Sequence, residues 1–168
     1  MILQHVAAIF LPACLAMAAL SDLLTMTIPN RLTLALAVAF PVAALAIGLP
    51  PAAAAWHVAA GAVVLAGGFG MFAAGWIGGG DAKLAAAAAL WIGMETLMPW
   101  LLVTALFGGA LTIGLLLVRQ LPLPMALARH DWAMRLHAPQ TGIPYGIALA
   151  AGGLWVFHLT PWAAPLGL

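Results

Sequence analysis

Apolar runs long enough to cross a bilayer recur along the whole chain. Between Leu32 and Gly80 there is no Asp, Glu, Lys or Arg, and the same holds from Thr96 to Val118 and from Leu136 to Leu168. A spanning helix needs about 20 such residues, because the hydrocarbon core is about 30 Å thick and a helix rises about 1.5 Å per residue. Charged side chains are 5% of the 168 residues and hydrophobic ones 66%, against about 25% charged in soluble domains. Five basic and four acidic residues cannot cover the surface of a soluble fold. That excludes a soluble enzyme and a nucleic-acid binder, which needs a basic face. It also excludes disorder, which needs low hydrophobicity. The expected fold is all-α: a polytopic membrane protein, with residues 1–168 forming one integral-membrane domain.

Six spans are predicted: Ile2 to Leu20, Leu32 to Leu49, Ala53 to Ile77, Leu84 to Leu97, Trp100 to Val118 and Ile143 to Leu159. Arg31 follows the first span, Lys83 the third, and Arg119, Arg129 and Arg135 the fifth. The turns after the second span (Leu49-Pro50-Pro51) and after the fourth (Glu95-Thr96) carry no Lys or Arg. All five basic residues thus fall on one side, which the positive-inside rule makes cytoplasmic. Six spans then put both termini on the periplasmic side. Trp56, Trp91, Trp100 and Trp162 gather near the opposite ends, as an interfacial aromatic belt would. In the longest loop, Met125, Ala128, Trp132 and Leu136 recur at near-helical spacing. That pattern fits either a short helix lying on the cytoplasmic leaflet or a solvated loop.

The single cysteine, Cys14, rules out an internal disulfide and a paired-cysteine zinc site. Leu11-Pro12-Ala13-Cys14 has the outline of a lipoprotein cleavage box but no Lys or Arg before it, so Cys14 reads as a small apolar residue of the first span. The histidines are scattered, with no Ser-His-Asp order and no metal-ligand spacing. Neither a metal nor a cofactor is expected.

Each of the four acids can be weighed in turn. Glu95 reads as solvated in an outer turn, and Asp131 as a surface partner of Arg129, His130 and Arg135. Asp22 and Asp81 differ. Asp22 ends the first span and Asp81 precedes the fourth, at similar depth on the cytoplasmic side. Ionisable groups at such positions are costly and often functional. The plainer readings are a snorkelling helix end for Asp22 and a helix N-cap for Asp81. Two carboxylates held close share a proton, so one can act as general base on water while the other, protonated, polarises a carbonyl. Gly78-Gly79-Gly80 before Asp81 lets the backbone leave helical geometry and pair with an extended peptide. It is no phosphate loop, because the Lys-Ser/Thr ending is absent.

Three segments resemble the prepilin peptidases, a family of polytopic membrane aspartic proteases. Asp22 with Ile28-Pro29-Asn30 is similar to the family's Asp and downstream Ile-Pro-Asn. Gly78-Gly79-Gly80-Asp81-Ala82-Lys83-Leu84 matches its Gly-x-Gly-Asp-x-Lys-Leu signature. Ile143-Pro144-Tyr145-Gly146-Ile147-Ala148 resembles the Pro-Tyr-Gly segment of short TadV/CpaA-type members, which serve Flp pili. The resemblance implies an enzyme of the bacterial inner membrane that removes the short basic leader from type IV pilin-like precursors at the cytoplasmic face. It implies Asp22 and Asp81 as the catalytic pair, and Gly78, Gly80, Lys83, Pro29 and Asn30 as motif positions along the substrate path. It implies prepilin and the bilayer as partners, with possible association with pilus assembly machinery. Many relatives carry a basic residue between the Asp and the Ile-Pro-Asn; here the stretch is Leu23-Leu24-Thr25-Met26-Thr27. Large bifunctional relatives have a cytoplasmic domain with paired cysteines and methylate the new N-terminus, so cleavage without methylation is expected. Two alternatives come from other classes: a noncatalytic membrane subunit of a pilus or secretion assembly, and a small proton-coupled transporter using both aspartates as a relay. In either, the Ala85–Ala89 run serves close helix packing.

Overall fold

A computed structural model describes residues 2–167. The elements are α1 (Ile2–Thr25), α2 (Asn30–Ile47), α3 (Pro51–Ala73), α4 (Gly79–Ile92), α5 (Met94–Val118), α6 (Asp131–His137) and α7 (Tyr145–Val156). Among the described residues there is no strand. Four helices, α1, α2, α3 and α5, are long and apolar enough to cross a membrane. The other two predicted spans are shorter helices. α4 has 14 residues and α7 has 12, about 21 and 18 Å at the helical rise.

Several boundaries differ from the sequence reading, most of all at the two ends of α4. The break expected at Glu95-Thr96 lies at Gly93, and α5 begins at Met94. Gly93 has φ 80° and ψ 166°, a region that is essentially glycine-only. That conformation turns the chain in one residue, so Glu95 and Thr96 are helical and Pro99 sits inside α5. At the other end of α4 the helix starts at Gly79, not Leu84, with Gly78 in the extended cap position. Asp81 is therefore the third residue of the helix and not its N-cap.

The interior follows helical periodicity. On α1 the buried positions are Ala7, Ala8, Leu11, Cys14, Leu15, Ala18 and Asp22, a stripe built on three- and four-residue steps. On α4, Ala86 to Ala89 are buried, as small packing residues should be. α3 packs closely on α4. A Cβ on Gly68 would stand 3.3 Å from that of Ala82.

The tryptophans correct the expectation of an interfacial belt. Trp91, Trp100 and Trp162 are fully buried, and of the four only Trp56 is exposed. Each buried indole N–H donates to a carbonyl: Trp91 to Leu36, Trp100 to Leu149 and Trp162 to Trp91. With its polar handle satisfied, an indole is a large apolar filler. Trp91, Trp162, Phe40 and His57 pack ring against ring. They lie at the end of the bundle away from the aspartates.

At the other end, α6 forms as the loop pattern allows. Ala133 is buried, Trp132 and Leu136 are half-buried, and Met125 is exposed. Arg135 donates to the Leu24 carbonyl at 2.8 Å, fastening α6 to α1. Arg119 donates to the carbonyls of Leu136 and Gly142, tying both ends of the following loop to α5.

Candidate active site

Asp22 is buried because it continues the inward stripe of α1 by one more turn. α1 ends three residues later. Met26 takes a left-handed φ of 55° and its amide bonds the Asp22 carbonyl. The turn is cross-tied by Ser21 Oγ to the Thr27 carbonyl at 2.8 Å and by Thr25 Oγ1 to the Ser21 carbonyl at 2.7 Å. The chain then runs through Ile28-Pro29-Asn30 into α2. Pro29, with φ −62°, is the extended residue ahead of the helix. Asn30 Oδ1 accepts from Lys83 Nζ at 3.0 Å, linking the first residue of α2 to the first turns of α4.

Asp22 and Asp81 line the same cavity, of about 330 Å³, with Met26, Thr27, Ile28, Asn30 and Gly78 to Gly80. Two residues 59 positions apart in sequence are thus brought together at one end of the bundle. Asp22 Oδ2 accepts a 2.8 Å hydrogen bond from the backbone amide of Gly146. Asp81 is half-buried, and its Oδ1 has no hydrogen-bond partner. Asp81 lies outside the four long spans. Burial first, and then the neighbouring Asp22 carboxylate, push it up to about 6, with the Gly78 amide pulling the other way. A carboxyl with an unpartnered oxygen and a like charge beside it is poised to carry a proton near neutral pH.

The expected motif residues converge here. Gly78, Gly79, Gly80 and Asn30 line the cavity, and Lys83 reaches it through its bond to Asn30. Pro29 is the exception; it sets the entry to α2 and does not line the cavity. Of the three glycines only Gly78 is extended; Gly79 and Gly80 are the first residues of α4, so the run does not form the extended segment that the strand-pairing idea required. What they leave open are helix-end N–H donors. Ile28 packs between two helix ends of the site. Its side chain stands 3.4 Å from where a Gly80 Cβ would be, and 2.9 Å from where a Gly146 Cβ would be. The Gly146 contact is not expected from the sequence, although Gly146 lies in the Pro-Tyr-Gly segment. Nothing in sequence announces that a backbone amide meets a carboxylate 124 positions away. Among the described residues, no group of three or more His, Cys, Asp or Glu is placed to hold a metal ion.

The model of the type IV leader peptidase family matches residues 9–113, more than half of the chain and both aspartates. The chain belongs to this family. It is thereby a member of a protease family whose substrates are prepilins, and its apolar helices make it a multi-pass membrane protein. Comparisons with curated proteins and with solved structures return no match. The leader peptidase match ends before α6 and α7, so Gly146 lies beyond it.

Proposed function

We propose that the chain is an aspartic endopeptidase that removes the short basic leader from Flp-type prepilins. It works at the cytoplasmic face of the inner membrane, without methylating the product. The reading takes the chain as one peptidase domain of six spans, with both termini periplasmic. α4 from Leu84 onward and α7 serve as short spans, with Asp81 ahead of the fourth span at its cytoplasmic edge, and the bilayer thins or tilts the bundle to suit them. The single observation carrying it is the convergence of Asp22 and Asp81 on one cavity, at the end of the bundle where all five basic residues cluster.

In the proposed mechanism, one carboxylate takes a proton from water as the oxygen attacks the scissile carbonyl carbon. The other carboxyl, protonated, donates a hydrogen bond to the carbonyl oxygen as it gains charge. Collapse of the tetrahedral intermediate breaks the C–N bond, and the departing nitrogen takes a proton from the pair. The raised proton affinity of Asp81 supports a one-proton pair at working pH. Helix-end amides of Gly79 and Gly80 face the same cavity and supply donors for the peptide backbone.

The test is co-expression with a Flp-type prepilin, followed by precursor size on a gel. A shortened product is expected, lost with Asp22→Asn and separately with Asp81→Asn at equal membrane levels. A product that survives both changes would falsify the mechanism. An uncut precursor with the unaltered chain points instead to a noncatalytic assembly subunit.

A further inference from the structure

We infer that Gly146 is a positioning residue for the same pair: its amide fixes the Asp22 carboxylate, and its missing side chain leaves the space that carboxylate occupies. The inference rests on the two-aspartate reading above. Gly146 is the second residue of α7, so its N–H has no partner within the helix. Asp22 Oδ2 takes that N–H at 2.8 Å, in a buried setting. An acceptor carrying negative charge also suits a helix N-terminus.

The space is as specific as the bond. A Cβ on Gly146 would lie 2.8 Å from Asp22 Oδ2 and 3.2 Å from Asp22 Cβ. These atoms sit close to the backbone of α1 and have little freedom to give way. Ile28 Cδ1, at 2.9 Å, is by contrast the far end of a flexible side chain. The preceding residue holds the helix end in register. Tyr145 packs on α5 where a Cβ on Gly108 would collide with its ring. Pro144, buried, is the non-helical residue ahead of the helix, with φ −73° and ψ 82°. The Pro-Tyr-Gly segment thus places one N–H donor against one carboxylate.

The experiment uses the full-length protein in detergent or native membranes, with a Flp-type prepilin, and reads kcat and KM separately. Gly146→Ala is expected to lower kcat at least tenfold while KM changes less than twofold, since Gly146 acts through Asp22 and not on the peptide. Adding Ile28→Val to Gly146→Ala relieves the contact with Ile28 alone and is expected not to restore kcat. The idea is overturned by a kcat within twofold of the parent, by restoration with Ile28→Val, or by a change confined to KM. A stability cycle covers the case in which Gly146→Ala does not accumulate. Its loss of melting temperature or yield should shrink when Asp22→Ala is also present, and an undiminished loss in that background overturns the contact. The two readings fail differently. Cleavage that survives Asp22→Asn defeats the catalytic pair, whereas cleavage lost with Asp22→Asn but intact in Gly146→Ala defeats only the role of Gly146.

Discussion

Removing the Asp81 charge should stabilise the protein while abolishing its chemistry, and the gain should depend on pH. Asp81 stands at about 6 against an ordinary 3.8, roughly two units. At 1.36 kcal/mol per unit the full shift would be about 3 kcal/mol, and because Asp81 is half-buried, solvent screening reduces the cost of ionising it in the folded state to about 1–2 kcal/mol. The folded form binds the proton more tightly than the unfolded form. Stability from this group is therefore full below pH 4 and lost as pH rises through 6. Asn does not titrate and keeps the shape of the protonated acid. Asp81→Asn should match the parent near pH 4 and exceed it increasingly up to about pH 7, where the difference levels off. For a chain of this length 1 kcal/mol shifts a melting temperature by about 2–4 °C, so the gain is about 2–8 °C. Thermal unfolding in detergent at pH 4.5 to 8, followed by tryptophan fluorescence, measures it, because Trp91, Trp100 and Trp162 are buried reporters. Part of the shift comes from Asp22, so the gain should be smaller in an Asp22→Asn background. A melting difference between parent and Asp81→Asn that is flat across this range refutes the reasoning, because a proton affinity unchanged by folding leaves no pH dependence.

Other substitutions probe the scaffold. Trp91→Ala empties a fully buried site and leaves the indole's bond to the Leu36 carbonyl unmade. It should cost about 3–5 kcal/mol, seen as a large fall in melting temperature. Gly93→Ala forces a side chain into a glycine-only conformation and against the His57 ring at 2.7 Å. The conformation alone costs about 1–3 kcal/mol, and reduced accumulation in membranes is the readout. Gly80→Trp crowds Ile28, which lies 3.4 Å from the Cβ position, and closes the cavity. Cleavage should disappear on the gel while membrane insertion is unchanged.

Much of the architecture is legible because lipid-facing helices leave long uncharged runs. The helix order follows from those runs, and the clustering of basic residues at one end follows from loop charge. Asp22 is legible in a stronger sense, since it falls on the stripe of Leu11, Leu15 and Ala18 and so had to face inward. Where the reading slipped, local composition misled it. The break expected at Glu95-Thr96 lies two or three residues earlier, at Gly93, whose backbone angles essentially only glycine accepts. The three buried tryptophans looked interfacial because they are amphipathic and near helix ends. Their N–H groups find carbonyls inside the bundle instead, which sequence position does not reveal. Of the glycines before Asp81, Gly78 is extended but Gly79 and Gly80 begin a helix. Gly146 was invisible as a partner because the contact uses its amide and its lack of a side chain.

Ile28 touches neither carboxylate's chemistry, yet it lies wedged between the helix that carries one acid and the helix end that holds the other. The distance between the start of α4 and the start of α7 is thus gauged by the girth of one aliphatic side chain on a connecting loop. Trimming or thickening that spacer should retune the width of the cavity without altering a single polar atom in it.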